Sequence, residues 1–270
     1  MDSTAAAHRQ RSQRSGGYAP AVRIATFNVL HGRAPSDGRV DLHRFARAVR
    51  TIDADVLALQ EVDRRQRRSG SADLTAVAAE AGGYASARFV PTLLGEPGTW
   101  RAAADDDDGD SPAYGIALLS RMPVLSERTV RLPALRVPVP VLRAGRRVQR
   151  VRDEPRVAAV ARVMTPDGEL TVVSTHLSFV AGWNLLQLRH LARAVHGELP
   201  LVVAGDLNLR PRAVRVTSRL RPLAAGATFP SHAPVRQIDH LLGRGVAATG
   251  GQVWDLPLSD HRALSVELHV

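Results

Sequence analysis

The sequence predicts a mixed α/β domain, and three observations lead to it. Short apolar, strand-like runs alternate with helical periodicity from Val22 onward. The middle of the chain sets strand after strand, with turn residues between them and no room for helices, which argues for antiparallel neighbours. The apolar strands also stop repeatedly at an acid, an amide or a histidine.

Taken in order, "VRIATFNVL" is a strand, "DLHRFARAVRTI" an amphipathic helix, "ADVLALQEV" a strand and "ADLTAVAAEAGG" a helix ended by glycine. "YGIALLSRMPVLSERTVRL", "EPRVAAVARVM" and "GELTVVSTHLSF" form the run of strands. "WNLLQLRHLARAVHGE" is the next helix, followed by the strand "LVVAG", then "QIDHLLGRG", "GGQVWD" and the closing strand "HRALSVELHV". Two segments interrupt the pattern and read as solvated loops: the acidic run at Asp105 to Asp108 with Asp110, and "LPALRVPVPVLRAGRRVQRVRDEP", which mixes prolines with arginines. Residues 1–20 are polar and aperiodic, so the sequence predicts a disordered tail followed by one domain over 21–270, with no internal repeat.

Composition narrows the chemistry. At 270 residues and 44% hydrophobic, the chain can bury a substantial core. With no cysteine, it can form no disulfide, iron–sulfur cluster, thiolate zinc site or cysteine nucleophile, so any metal must sit on oxygen or imidazole. The net charge of +10 and the pI near 11.3 suit a polyanionic partner, but all 36 residues of the Lys/Arg class are arginine, which codon bias explains as well as phosphate binding does. The N-terminal stretch carries no apolar signal core and no later segment is long enough to span a bilayer, so a cytoplasmic protein without a transmembrane segment is expected.

The polar strand ends carry the functional signal. Asn28 interrupts "IATFNVL", Glu61 follows "DVLALQ" and His176 follows "LTVVST". Asp206 and Asn208 follow "LVVAG", Asp239 and His240 follow "RQI", and Asp260 and His261 introduce "ALSVEL". One such residue is usually a cap or a satisfied core polar group. Six strand ends brought together make one oxygen-rich crevice. Hard cations such as Mg²⁺ or Mn²⁺ favour such ligands, and Glu61 and Asp260 are candidates to hold one. A carboxylate beside an imidazole fixes its tautomer and favours its protonated form, which makes His261 with Asp239 the candidate acid–base pair. No P-loop, dinucleotide fingerprint or Gly-x-Ser-x-Gly elbow competes, so hydrolytic phosphoryl chemistry leads.

The ordered set "TFNVLHG", "LQEVD", "YGIALLSRMPV", "EPRVAAV", "VVSTHLSF", "LVVAGDLNLRP", "QIDHLL" and "LSDHRALSVEL" resembles the endonuclease/exonuclease/phosphatase (DNase I-like) superfamily from about Val22 to Val270. That resemblance implies a four-layer α/β/β/α sandwich of two mixed sheets with a metal-dependent phosphoesterase site at one rim. It implies Glu61 as principal Mg²⁺ ligand, with Asn28 and Asp260 near the metal or its waters. Asp206 resembles the acid that orients or deprotonates the attacking water, with Asn208 as its amide partner near the phosphate. His261, supported by Asp239, resembles the histidine at the scissile phosphate, and His176 the second histidine of the DNase I, sphingomyelinase and inositol-phosphatase branches. Asn28 and Arg156, in "EPR", are the substrate-binding candidates, a surface position being the alternative for Arg156. One departure is Ile116, where members often carry asparagine.

Substrate is left open among nucleic acid, phosphomonoester and lipid headgroup. The segment "RVPVPVLRAGRRVQRVRDEPR" offers a basic rim for a nuclease, though with no aromatic interleaving for stacking on single strands. "SFVAGWN", with Phe179 and Trp183, offers an apolar loop for a lipid enzyme, unless Trp183 simply packs at a helix start. A catalytically silent binding protein on the same fold is the remaining alternative.

Overall fold

The structure is a computed structural model, and it describes residues 21–104, 109–135, 137–143 and 147–269. The tail of residues 1–20 and the acidic run at 105–108 lie outside them.

Two helices mark the first half. α1 (Leu42–Ile52) starts where the Asp41 carboxylate accepts from the His43 and Arg44 amides, and it turns Phe45, Ala48, Val49 and Ile52 inward at helical spacing. α2 (Leu74–Gly82) begins on Asp73 in the same way and stops at Gly83 in the left-handed conformation. α3 (Trp183–Ala194) and α4 (Pro211–Ser218) follow in the second half. α4 has no counterpart in the sequence reading, because only Val214 and Ser218 of its eight residues are buried and so short a stripe leaves almost no periodicity.

Besides two short 3-10 turns, Leu30–Gly32 and Arg67–Ser69, the described residues form fifteen strands: β1 (Val22–Asn28), β2 (Val56–Arg64), β3 (Ser86–Leu94), β4 (Arg101–Ala102), β5 (Ala113–Ser120), β6 (Val124–Arg131), β7 (Val139–Arg143), β8 (Arg147–Val151), β9 (Val157–Thr165), β10 (Gly168–His176), β11 (Leu201–Asp206), β12 (Arg221–Pro222), β13 (Asp239–Arg244), β14 (Ala247–Trp254) and β15 (Ala263–His269). One mixed sheet runs β14-β15-β1-β2-β5-β3-β4 and a second runs β12-β13-β11-β10-β9-β6. The parallel pairs are β1 with β2 and β10 with β11. β5 and β6 come from one continuous run in the sequence yet belong to different sheets, since the chain crosses over at Arg121–Pro123. The proline- and arginine-rich segment read as loop contains the β7–β8 hairpin, where alternate valines supply strand propensity that the prolines mask. β3 also escapes the sequence reading, since Pro91 interrupts its pattern.

Period-two alternation assigns each strand two faces. Ile24, Val56, Leu118, Val172, Val202 and Leu264 fill the space between the sheets. Phe27, Leu57 and Leu119 turn outward against α1 and α2, while Val173, Val203 and Leu242 turn outward against α3 and α4. The result is the expected α/β/β/α order. No helix among the described residues is long and apolar enough to cross a membrane.

Candidate active site

The inward-facing positions stay apolar until one rim, where they become polar. On the first sheet, Asn28 lies in register beside Gln60. On the second, His176, Asp206 and Asp239 lie at one level across three adjacent strands. All of them except Gln60 are residues the sequence singles out. Gly205 allows the closest part of this arrangement, because a Cβ there would stand 2.0 Å from the Thr175 carbonyl oxygen.

Hydrogen bonds join the two sheets through Asn28. Its Nδ2 donates to Glu61 Oε1 at 3.0 Å and to Asp206 Oδ2 at 3.1 Å, while its Oδ1 accepts from the Leu30 amide. Glu61 reaches this point through a bulge: the β2–β5 register shifts between Leu59 and Val62, and Glu61 has φ of 57°, an unfavoured left-handed conformation. Asp206 Oδ1 accepts from the Asn208 amide at 3.0 Å. The Asn208 side chain donates to the Leu177 carbonyl and lies 3.5 Å from His176 Nε2.

The two histidines converge on one oxygen. His176 Nε2 is 3.5 Å and His261 Nε2 3.7 Å from Asp206 Oδ2. His261 Nδ1 is held at 2.9 Å by Asp239 Oδ2, and the second oxygen of that fully buried carboxylate has no hydrogen-bond partner among the described residues. Ser259 sets the His261 loop against β1, since its hydroxyl donates to the Asn28 carbonyl at 2.6 Å and accepts from the His261 amide. Ser259 is a positioning residue that the sequence reading passed over, although it stands inside the "SDH" motif.

Burial works against charge throughout, and the neighbours decide the outcome. For His261, desolvation pulls downward, but Asp239, Asp206 and Asp260 overcome it and push the imidazole up to about 10. Burial, with Asp239 adding repulsion against the opposing His261 charge, raises Asp206 to about 7. Burial, Arg156 and His261 together hold His176 well below the usual imidazole range. At neutral pH the site therefore presents one imidazolium and one neutral imidazole. Burial raises Glu61, with Glu154 and Asp260 adding to the rise against the Asn28 hydrogen bond.

Arg156 is buried, not on the surface, and it lies 3.4 Å from Glu154 and 3.6 Å from Asp153. Its charge is felt at His176 and Tyr114, which places it in the electrostatics of the site. Asp260 is half-buried and acts on both Glu61 and His261 through its charge. His240 points away, its ring nitrogen 2.8 Å from the Leu209 carbonyl oxygen, and belongs to packing. Glu154 and Tyr114 join the cluster; they open the motifs "EPRVAAV" and "YGIALLSRMPV", although neither stands among the candidate site residues read from the sequence.

Two donor sets are available to a divalent cation. Asp206, Asp239 and His261 present ligand atoms within 4.8 Å of one another. Within that trio the imidazole commits its Nδ1 to Asp239, which leaves Nε2 as its one free ligand atom. The carboxylates of Glu61 and Asp260 suit a hard cation, which would offset the burial that chiefly raises Glu61 and the Glu154 and Asp260 charges that add to it, while Asn28 turns its Nδ2 toward Glu61 and steadies that carboxylate.

A charged cluster at one rim, assembled from the ends of two face-packed mixed sheets, defines the class as an α/β/β/α sandwich with a rim site. The pattern of the Endonuclease/Exonuclease/phosphatase family matches residues 25–261, and the chain belongs to that family, whose members hydrolyse phosphoester bonds. No curated protein sequence matches the chain. Among solved structures, an endonuclease/exonuclease/phosphatase protein from Beutenbergia cavernae is similar with 24% identity and a TM-score of 0.69, over 93% of this chain and 72% of that one. The Bacteroides thetaiotaomicron mannosyl-6-phosphatase is 17% identical with a TM-score of 0.61, over 92% of this chain and 100% of the other. Sphingomyelinase C from Streptomyces griseocarneus is 15% identical with a TM-score of 0.56, over 92% and 99%. These likenesses establish a shared fold.

Proposed function

We propose that the protein is a divalent-metal-dependent phosphodiesterase that cleaves its substrate by in-line attack of water. The observation that carries this reading is the contact chain Glu61–Asn28–Asp206, which joins the two sheets and ends beside the His261–Asp239 pair. Similar folds named for a sphingomyelinase and for a sugar phosphatase support phosphoester cleavage as the bond class.

Glu61 and Asp260 would hold Mg²⁺, with Mn²⁺ as a substitute and Asn28 steadying Glu61 beside the ion and its waters, and the bound ion would supply positive charge against the phosphoryl oxygens. Asp206, raised to about 7, is matched to accept a proton from water near neutral pH, with Asn208 fixing its carboxylate. His261 is already protonated there, so it serves as hydrogen-bond donor and electrostatic stabiliser of the phosphoryl group, not as base. Neutral His176 contributes a further donor, and Arg156, immediately before the neighbouring strand β9, adds charge.

The test is hydrolysis of bis-p-nitrophenyl phosphate, p-nitrophenyl phosphate and supercoiled plasmid, with Mg²⁺, Mn²⁺ or EDTA, for the natural protein and Glu61→Ala. Diester cleavage that needs metal and disappears in the variant is expected. Full activity in EDTA, or in Glu61→Ala, would overturn the assignment.

A further inference from the structure

Beside the rim lies a cavity of about 680 Å³ that the reaction just described does not use. Its walls are two loops: the turn after β1, with His31, Arg33 and Arg39, and the turn after β2, with Arg68, Ser69 and Gly70. None of its lining residues is acidic.

The loops offset that charge only in part: Asp63 pairs with Arg68, and Asp37 lies within the electrostatic reach of Arg39. Asp37 and Asp41, the acids of the first loop, are both drawn to Arg44, and each also accepts from backbone amides. Arg33 and Arg39 make no ion pair among the described residues, and Arg33 Nε only bonds the Gly38 carbonyl. Arg68 pairs with Asp63 through Nε and Nη2, which aims a fixed guanidinium toward the cavity wall and leaves Nη1 outside that pair. Its other side lies over Trp100 and Tyr114, at 5.2 and 5.4 Å.

Both walls are preformed. Arg33 and Val40 close the first loop with an isolated bridge, reinforced by the Ala34–Arg39 and Ala34–Gly38 backbone bonds. Leu30, His31 and Gly32 are three successive left-handed residues, with φ of 45°, 47° and 81°. Two non-glycine residues in that region cost on the order of 1–3 kcal/mol each, strain that accumulates at ligand-binding turns. The second loop is pinned by the Arg65–Ala72 and Ser71–Gln66 backbone bonds.

The same turn also connects the cavity to the reaction site. The Leu30 amide bonds Asn28 Oδ1, the Ser259 amide bonds the Arg33 carbonyl, and Arg68 is within the electrostatic reach of Glu61. Planar guanidinium groups match phosphate oxygens in pairs, and a cavity of this size accepts a sugar- or nucleoside-phosphate, not only a bare ion.

We propose that this cavity is a second phosphate site, which seats a non-reacting phosphate of the substrate while its neighbour is cleaved at the rim. The enzyme would then prefer substrates carrying two phosphates over those carrying one, an inference that rests on the phosphoesterase reading above. A nucleic-acid backbone and a bisphosphorylated headgroup offer the same chemistry.

The test has a binding arm and an activity arm, each run on the natural protein, Arg33→Gln/Arg39→Gln and Glu61→Ala. In the binding arm, titration calorimetry in EDTA with inorganic pyrophosphate should show binding to the natural protein and to Glu61→Ala, and loss of at least about tenfold in affinity in the double variant. In the activity arm, a 5′-phosphorylated dinucleotide is compared with its unphosphorylated form, and glycerophosphoinositol phosphate with glycerophosphoinositol, so that each pair shares one diester and differs by one phosphate. Preference for the doubly phosphorylated member of either pair should fall by about tenfold in the double variant, while cleavage of bis-p-nitrophenyl phosphate is unchanged. The pair that shows the preference identifies the source. Equal pyrophosphate binding by the natural protein and the double variant, or an equal preference in both, would overturn the second site. Absence of all hydrolysis, with binding still dependent on Arg33 and Arg39, would instead overturn the phosphoesterase reading and the substrate role, leaving an anion site.

Discussion

At the scale of single residues, His261 and Asp239 make the sharpest claim. The imidazole is raised from an ordinary 6.5 to about 10, so its contribution to stability is complete below pH 6.5 and is lost as pH rises through 10. His31, His176 and His240 are shifted the other way and are neutral in folded and unfolded chains above about pH 8, where Asp206, raised to about 7, is also ionised in both, so these groups drop out. The melting temperature of EDTA-treated protein should therefore fall steadily from about pH 8 to pH 10. Asp239→Asn should flatten that slope, and thermal melts at four or five pH values decide the matter. His261→Ala is a poor probe of catalysis alone, because it strands a buried carboxylate and costs about 3–5 kcal/mol of stability. His261→Gln keeps a donor beside Asp239, and its kcat should still drop about 10²–10⁴-fold.

At the scale of elements, two local irregularities set the site. The β2 bulge turns Glu61 toward Asn28, which regular alternation would not do once Gln60 already faces inward. The tight β10–β11 contact depends on Gly205, whose replacement by alanine would drive a Cβ into the Thr175 carbonyl. Gly205→Ala should destabilise the fold by about 1–3 kcal/mol or more, measured by urea unfolding. It should also lower kcat beyond what partial unfolding explains, since the clash separates the strands that carry His176 and Asp206. Ordinary stability together with full activity would show that the strands yield without cost.

For the whole molecule, the site exists only when both sheets are packed, because Asn28 comes from one and Asp206 from the other. A cation that binds the assembled rim must therefore stabilise the entire fold. Mg²⁺ at about 100 times its dissociation constant adds about 2.7 kcal/mol, a rise of several degrees in Tm. EDTA should reverse it, and Glu61→Ala should abolish it in differential scanning fluorimetry. An unchanged Tm across millimolar Mg²⁺ and Mn²⁺ would remove the cation from the site.

Much of this was legible in the chain. Strand and helix periods are local, so α1, α2, β1, β2 and β11 can be read from neighbouring residues, and the motif order alone points to the family and to its nine candidate residues. Weakly patterned elements could not be read this way: α4 with its two buried residues, β3 around Pro91, and the β7–β8 hairpin among prolines and arginines. Nor could the burial of Arg156, the reach of Glu154 and Tyr114 toward Glu61, or the paired loops with their unmatched arginines. Chemical type and periodicity are properties of a few adjacent residues, so they follow from the chain alone. Distance, burial and charge state depend on which remote segments meet, as Asn28 and Asp206 do across 178 positions, and only the packing of the two sheets decided them.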